Sequence, residues 1–137
     1  MGAAGSRTDN HASPQLMKIS IKRAYEDASP DDGYRVLVDR VWPRGRTRAS
    51  LAIAEWAKNL APSTVLRRWF AHDPKRWEVF QERYRKELAS PAQLGRMRLV
   101  LDAAGKGPVT LVYGAKDETH NQAVVLRAVL SEMSRHR

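Results

Sequence analysis

The chain has 137 residues, no cysteine, and 24 lysine and arginine residues against 15 aspartate and glutamate residues, for a formal net charge of +9. A chain of this length forms one domain with a core of its own, and the lack of cysteine excludes disulfides, thiolate nucleophiles and thiolate metal sites. The positive charge favours anionic partners, either small phosphorylated molecules or nucleic acid. No apolar run approaches the ~18 residues that cross a bilayer, so we expect no membrane partner, and the lack of cysteine fits a protein of the reducing cytoplasm.

Residues 1–16 are rich in glycine, alanine and serine and contain few large apolar side chains. They also lack the apolar segment of a signal peptide. We therefore expect a disordered N-terminal arm over 1–16 and a single domain over 17–137.

Three segments are expected to form strands. Residues 18–23 alternate apolar and polar side chains, as a half-buried strand does. Residues 34–38 and 109–113 are nearly continuous apolar runs, which is typical of parallel strands covered on both faces.

Capping residues predict where helices begin, and each is followed by apolar residues at spacings of about three and four. The predicted helices begin at Ser50, at Pro62 and Ser63, at Asp73, at Ser90 and at Thr119. The first of them is expected to carry Trp56. Because strands and helices alternate, we predict an α/β fold: a single three-layer domain with a small, mostly parallel sheet flanked by helices.

Two polar segments each follow a predicted buried strand. Residues 39–45 (DRVWPRG) follow the second strand, and residues 114–121 (GAKDETHN) follow the third. Ligands of open parallel sheets bind just beyond the carboxyl ends of the strands. The two segments are therefore expected to meet and to form a cationic ligand site.

In the first segment, two arginines flank a tryptophan. A guanidinium group offers a planar fork of donors to carboxylate or phosphate, and an indole ring can stack on a base or a cation. Arg40, Trp42 and Arg44 are thus predicted ligand contacts. The alternative is structural, with an arginine paired to Asp39 or Asp117 and the tryptophan in the core.

The second segment opens a helix, whose N-terminus attracts anions. The predicted ligand contacts here are Tyr113, Lys116 and Asn121. If the protein is an enzyme, His120 and Asp117 are the predicted acid/base pair. The alternative is plain capping of the helix by Asp117 and Thr119.

Other chemistries find less support in the sequence. There is no nucleotide-binding glycine fingerprint, no nucleophile elbow, and no histidine or carboxylate spacing typical of a metal site, so no metal or cofactor is expected. Helix capping by Asp73 explains the His72-Asp73-Pro74 segment better than catalysis does.

Five segments resemble a known family, the YeaO-like proteins (domain of unknown function 488), which are small bacterial proteins of unknown function. They are DRVWPRG at 39–45, WAKNLAPS at 56–63, LRRWFAHDP at 66–74, WEVFQERYRKEL at 77–88 and VTLVYGAKDETHNQAVVL at 109–126. The resemblance covers roughly residues 17–133. It implies a compact α/β domain and transfers no settled activity, although some members carry a transcriptional-regulator label.

The leading functional prediction is a site for a small anionic ligand, a nucleotide or phosphorylated metabolite, at the carboxyl edge of the sheet. Acid/base chemistry is left open. The alternative is a nucleic-acid-binding transcriptional regulator, favoured by the net charge and by basic runs such as residues 83–86. Acidic residues interrupt those runs, and no helix-turn-helix pattern is evident.

Overall fold

Four strands form one parallel sheet. The computed structural model describes residues 17–136, so the predicted arm over 1–16 lies outside the described residues. The strands are β1 (Ile19–Arg23), β2 (Tyr34–Leu37), β3 (Glu55–Trp56) and β4 (Val109–Tyr113), in the spatial order β1-β4-β2-β3. The central strand β4 pairs in parallel with β1 and with β2. The predicted single α/β domain with a small parallel sheet is confirmed.

Five α-helices accompany the sheet in the described part of the chain. They are α1 (Arg48–Leu51), α2 (Thr64–Phe70), α3 (Trp77–Leu88), α4 (Pro91–Ala104) and α5 (Gln122–Arg135), with short 3-10 helices at Pro30–Asp32, Lys58–Leu60 and Pro74–Arg76. Between residues 17 and 136, no helix combines the length and the apolar character that crossing a membrane requires.

The helix starts follow the capping residues with two exceptions. Ser63, Asp73 and Ser90 each accept a backbone N–H as predicted. The first helix begins instead after Thr47, which shares a reciprocal capping box with Ser50, and it ends well before Trp56. The last begins after Asn121, whose side chain accepts two backbone N–H groups at the helix start.

The two faces of the sheet are covered unequally. Helices α2 to α5 pack on one face and form the main core with Val36, Val38 and Leu111. The opposite face has a smaller cluster in which Leu51 of α1 packs against Leu37 and Val112. The third layer is therefore thin, and it consists of one helical turn and its loops.

A buried arginine fixes that thin layer to the sheet. The guanidinium group of Arg35, which is 4% exposed, donates to the Leu51 carbonyl oxygen (2.8 Å from Nη2) and to Asp32 Oδ2 (2.7 Å). The Lys22 ammonium group also reaches Asp32 Oδ2, at 3.2 Å. Each polar group in this cluster has a charged or carbonyl partner, which buried ions require.

Gly33 is a position where a side chain should not fit. Its φ is +65°, and a Cβ built there would lie 2.2 Å from the Pro108 carbonyl oxygen. That oxygen accepts the Tyr34 N–H at 2.8 Å and so aligns β2 with the start of β4. We expect Gly33→Ala to lower the free energy of unfolding by at least about 2 kcal/mol, measured by urea denaturation.

The control is Gly95→Ala in α4, where a new Cβ meets nothing within 4 Å. Alanine favours a helix interior over glycine by about 1 kcal/mol, so this variant should be as stable as the wild type or more so. Equal effects of the two substitutions would contradict the assigned role of Gly33.

Candidate functional site

A cavity of about 300 Å³ lies at the carboxyl ends of β2 and β4. Several segments contribute to its wall: the loop after β2, the loop before α2, the end of α2, the loop after β4 and the first residue of α5. Aromatic and proline side chains form the apolar part of the lining: Trp42, Pro43, Pro62, Phe70 and Phe80. The polar part includes Asp39, Arg40, Arg67, His72 and Gln122.

Asp39 connects three elements around the cavity. Its Oδ2 atom accepts the Gly114 N–H at 2.9 Å, and its Oδ1 atom accepts the side-chain amide of Gln122 in α5. Its backbone carbonyl accepts the Trp56 indole N–H at 2.7 Å. Burial raises the pKa of Asp39 to about 6, although Gly114, Gln122 and the charge of Arg67 oppose this rise.

Arg40 joins the loop after β2 to the loop before α2. One guanidinium nitrogen, Nη2, donates to the carbonyl oxygens of Ala61 (3.3 Å) and Pro62 (3.2 Å). The Nε atom is buried and has no hydrogen-bond partner among the described residues. A buried donor without a partner costs about 1–3 kcal/mol, and an acceptor that entered this wall would remove that cost.

Arg67 brings a second guanidinium group to the cavity from α2. Its side chain is exposed, and its charge acts on the pKa of Asp39. Three residues later Phe70 packs into the core, so the same side of the helix provides both a charged and an apolar part of the wall. Helix α2 then ends, and His72 lines the cavity just beyond it.

Three of the eight predicted site residues line this cavity: Arg40, Trp42 and Asn121. All three side chains have structural partners, and those of Arg40 are the carbonyl oxygens of Ala61 and Pro62. The Trp42 indole N–H donates to the Arg46 carbonyl at 2.7 Å, and its ring packs edge-on against Trp56. Asn121 is 2% exposed and caps α5.

The other five predicted residues lie outside the cavity lining: Arg44, Tyr113, Lys116, Asp117 and His120. The Arg44 side chain is exposed, while its carbonyl oxygen accepts the Tyr25 hydroxyl at 3.0 Å. Tyr113 is buried in β4 at 2% exposure, and Lys116 is exposed in the following loop.

The predicted acid/base pair is formed, but it belongs to the turn before α5. His120 Nδ1 lies 2.9 Å from Asp117 Oδ2, and the imidazole packs edge-on against the Trp77 ring. Hydrogen bonds lower the pKa of Asp117 to about 2. The largest contribution comes from the Thr119 backbone N–H, and the side chains of His120 and Thr119 and the His120 N–H add to it. Asp117 therefore fixes the turn before α5 by accepting the Thr119 and His120 N–H groups, while the cap of the helix is Asn121 and not Asp117 or Thr119.

Comparison with known proteins places the chain in a family. A family model described as "Inactive DUF488-N3 subclade" matches residues 18–137. The chain belongs to the YeaO-like family. It is 46% identical over 110 residues to the uncharacterized protein YeaO of Escherichia coli (strain K12), which covers 80% of this chain and 94% of that protein. Uncharacterized proteins of Mycobacterium bovis and Mycobacterium tuberculosis are each 39% identical over 114 residues, covering 83% of this chain and 94% of theirs. No solved structure matches the chain.

Four polar residues that line the cavity were not predicted from the sequence as ligand contacts: Asp39, Arg67, His72 and Gln122. Asp39 was visible as the first residue after the second strand, but it was weighed as a partner for arginine. Arg67 stands three positions before Phe70 in a helix, a spacing that places the two side chains on neighbouring parts of one helix surface. That spacing was the available signal.

The raised pKa of Asp39 predicts a pH dependence of stability. Because the folded pKa of about 6 lies above the ordinary 3.8, the unfolded chain loses this proton first as the pH rises. Asp39 therefore lowers the stability of the fold progressively between about pH 4 and pH 6, with no further change above that window. The full effect is about 3 kcal/mol.

The variant Asp39→Asn should remove this dependence. An asparagine oxygen can still accept the Gly114 N–H, and its NH₂ group can donate to Gln122 once that amide flips. In urea denaturation, the stability of the variant relative to the wild type should rise from pH 4 to pH 6 and then level off. Parallel curves across this window would show that the pKa of Asp39 is not raised.

Proposed function

We propose that the cavity at the carboxyl ends of β2 and β4 binds a small anionic ligand, a nucleotide or a phosphorylated metabolite. The observation that carries this proposal is the presence of two guanidinium groups, Arg40 and Arg67, on the wall of one partly apolar cavity. Arginine is the side chain best suited to hold phosphate or carboxylate in two-pronged hydrogen bonds.

The negative charge of Asp39 does not oppose such a ligand strongly. Each of its oxygens already accepts a hydrogen bond, from the Gly114 N–H and from the Gln122 amide. Two arginines against one engaged carboxylate leave the cavity cationic. A ligand that carries an N–H or O–H donor could also use the remaining lone pairs of Asp39.

The volume and the apolar wall limit the size and character of the ligand. The cavity, at about 300 Å³, is at the lower end of the range for small-molecule sites, roughly 300–1,000 Å³. The rings of Trp42, Phe70 and Phe80 line it, and aromatic rings pack well against a planar base or the carbon face of a sugar. A phosphate attached to a ring suits this arrangement better than an isolated ion.

The family description favours a site that binds its ligand without converting it chemically. The matching family model describes its subclade as inactive. The His120 and Asp117 pair remains a prediction as an acid/base pair, but its residues lie outside the cavity lining, and Asp117 holds the turn before α5 through the Thr119 and His120 N–H groups.

The second candidate function is nucleic-acid binding. A separate basic surface around Trp69 of α2 supports it, since the guanidinium groups of Arg76, in the 3-10 helix before α3, and of Arg83 in α3 lie 5.2 Å and 4.5 Å from the Trp69 ring centroid. The +9 net charge also favours it. A polyanion on that surface would not need the cavity.

The test is a thermal-shift titration with inorganic phosphate, adenosine 5′-monophosphate and ribose 5-phosphate. A ligand at a hundred times its Kd stabilises the folded state by about 2.7 kcal/mol, which raises the Tm by at least about 5 °C for a domain of this size. We expect at least one probe to do so. Arg67→Ala should then weaken binding of that probe about tenfold.

The matched control is Arg68→Ala. Arg68 is the next residue of α2 and is also exposed, but it does not line the cavity. Equal losses in the two variants would contradict the proposed site. Wild-type protein that ignores all three probes, yet binds duplex DNA with a steep salt dependence, would support nucleic-acid binding instead.

A further inference from the structure

Two consecutive residues at the rim of the cavity have left-handed backbone, and neither is glycine. They are Ala71 (φ 46°) and His72 (φ 57°), directly after α2. The left-handed region is disfavoured for residues with a Cβ and is usually occupied by glycine or asparagine. Among the described residues, Ala52 is the other non-glycine residue with positive φ, and His72 alone of the three lines the cavity.

The tight turn between α2 and α3 explains the backbone conformation. Ala71 is the C-cap of α2, and its N–H donates to the Arg67 carbonyl at 3.0 Å. The Asp73 N–H donates to the Phe70 carbonyl at 2.9 Å, and the Asp73 side chain caps the next 3-10 helix. The turn therefore requires left-handed residues, but it does not require an imidazole ring at position 72.

No structural contact explains why position 72 carries an imidazole ring. Its side chain is exposed, and its ring makes no hydrogen bond or ion pair with other residues in the described range 17–136; its nearest ring neighbour is Phe70, with centroids 6.3 Å apart. Strained backbone that carries an unpartnered polar side chain at the edge of a cavity is a recognised sign of a functional position.

We propose that His72 is a ligand-binding residue of this cavity and that it acts with Arg67 on the anionic group of the ligand. This inference rests on the proposed function. Both side chains line the same cavity, five positions apart at the end of α2. Besides Arg67, the charged side chains of the lining are Asp39 and Arg40. Because the turn fixes the backbone of His72, less freedom is lost when the ligand binds than in an open loop.

Stability and affinity should respond in opposite directions to His72→Gly. Glycine adopts positive φ without strain, so the Tm without ligand should be at least as high as that of the wild type. Affinity for the best probe among inorganic phosphate, adenosine 5′-monophosphate and ribose 5-phosphate should fall about tenfold by calorimetry. A residue that only shaped the turn would not separate the two quantities in this way.

The matched control is Ala71→Gly. It relieves the same type of strain one residue earlier and leaves the imidazole in place. Its Tm should also be at least as high as that of the wild type, and its affinity should stay within about twofold. His72→Asn covers the case in which glycine loosens the turn, since asparagine tolerates left-handed backbone, and it too should lose affinity.

Two results would overturn this inference in distinguishable ways. If the wild type binds a probe and Arg67→Ala weakens binding, but His72→Gly and His72→Asn bind as the wild type does, His72 has no part in the site. If the wild type binds none of the probes and Arg67→Ala changes nothing, the proposed function itself fails, and the role of His72 fails with it.

Discussion

The Asp39 carboxylate holds together the elements that surround the cavity. It follows β2, accepts a backbone N–H from the residue that follows β4, and accepts the side-chain amide of Gln122 at the start of α5. Its neighbour Arg40 reaches the carbonyl groups of Ala61 and Pro62 before α2. Two consecutive residues thus connect both central strands and two helices, and the cavity exists where these connections leave space. Neighbouring parallel strands are not joined by a hairpin turn at this edge, and here the side chains of Asp39 and Arg40 connect the loops that follow them.

The same residues give the cavity its electrostatic character. The carboxylate is partly desolvated, which raises its pKa toward the neutral range, and the guanidinium groups of Arg40 and Arg67 line the same cavity. The wall therefore combines two cations, one engaged acid and several aromatic rings. This combination is more consistent with recognition of an anionic, partly apolar molecule than with a metal centre or with nucleophilic catalysis.

The sequence predicted the fold and the position of the cavity better than it predicted the residues in the cavity wall. Buried strands and capping residues are local signals, so β2, β4, α3 and α4 were predictable. The two-residue strand β3 was too short to show periodicity, and Trp56 was assigned to a helix for that reason. Asn121 and Thr119, in contrast, are both residue types that can cap the last helix. In the structure Asn121 accepts two backbone N–H groups and is the cap.

The missed wall residues have a common cause. Arg67 and His72 reach the cavity because α2 packs against α3 and beside the loop after β2, and that tertiary arrangement has no local sequence signature. The same limit explains Arg44 and His120. Each stands in the expected polar segment, but the turn that contains it directs other residues to the cavity wall. A strand end predicts the location of a site more reliably than the orientation of each side chain in the loop that follows.

The most direct test of the central claim is an NMR titration of the ¹⁵N-labelled chain with adenosine 5′-monophosphate. The largest changes in backbone amide shifts should occur at Arg40, Ala61, Gly114 and Gln122, which surround the cavity. The amides of Leu94, Val129 and Met133, in a separate groove between α4 and α5, should not move. Shift changes confined to that groove or to the basic surface around Trp69, with no change at the four cavity amides, would contradict the claim that the cavity is the ligand site.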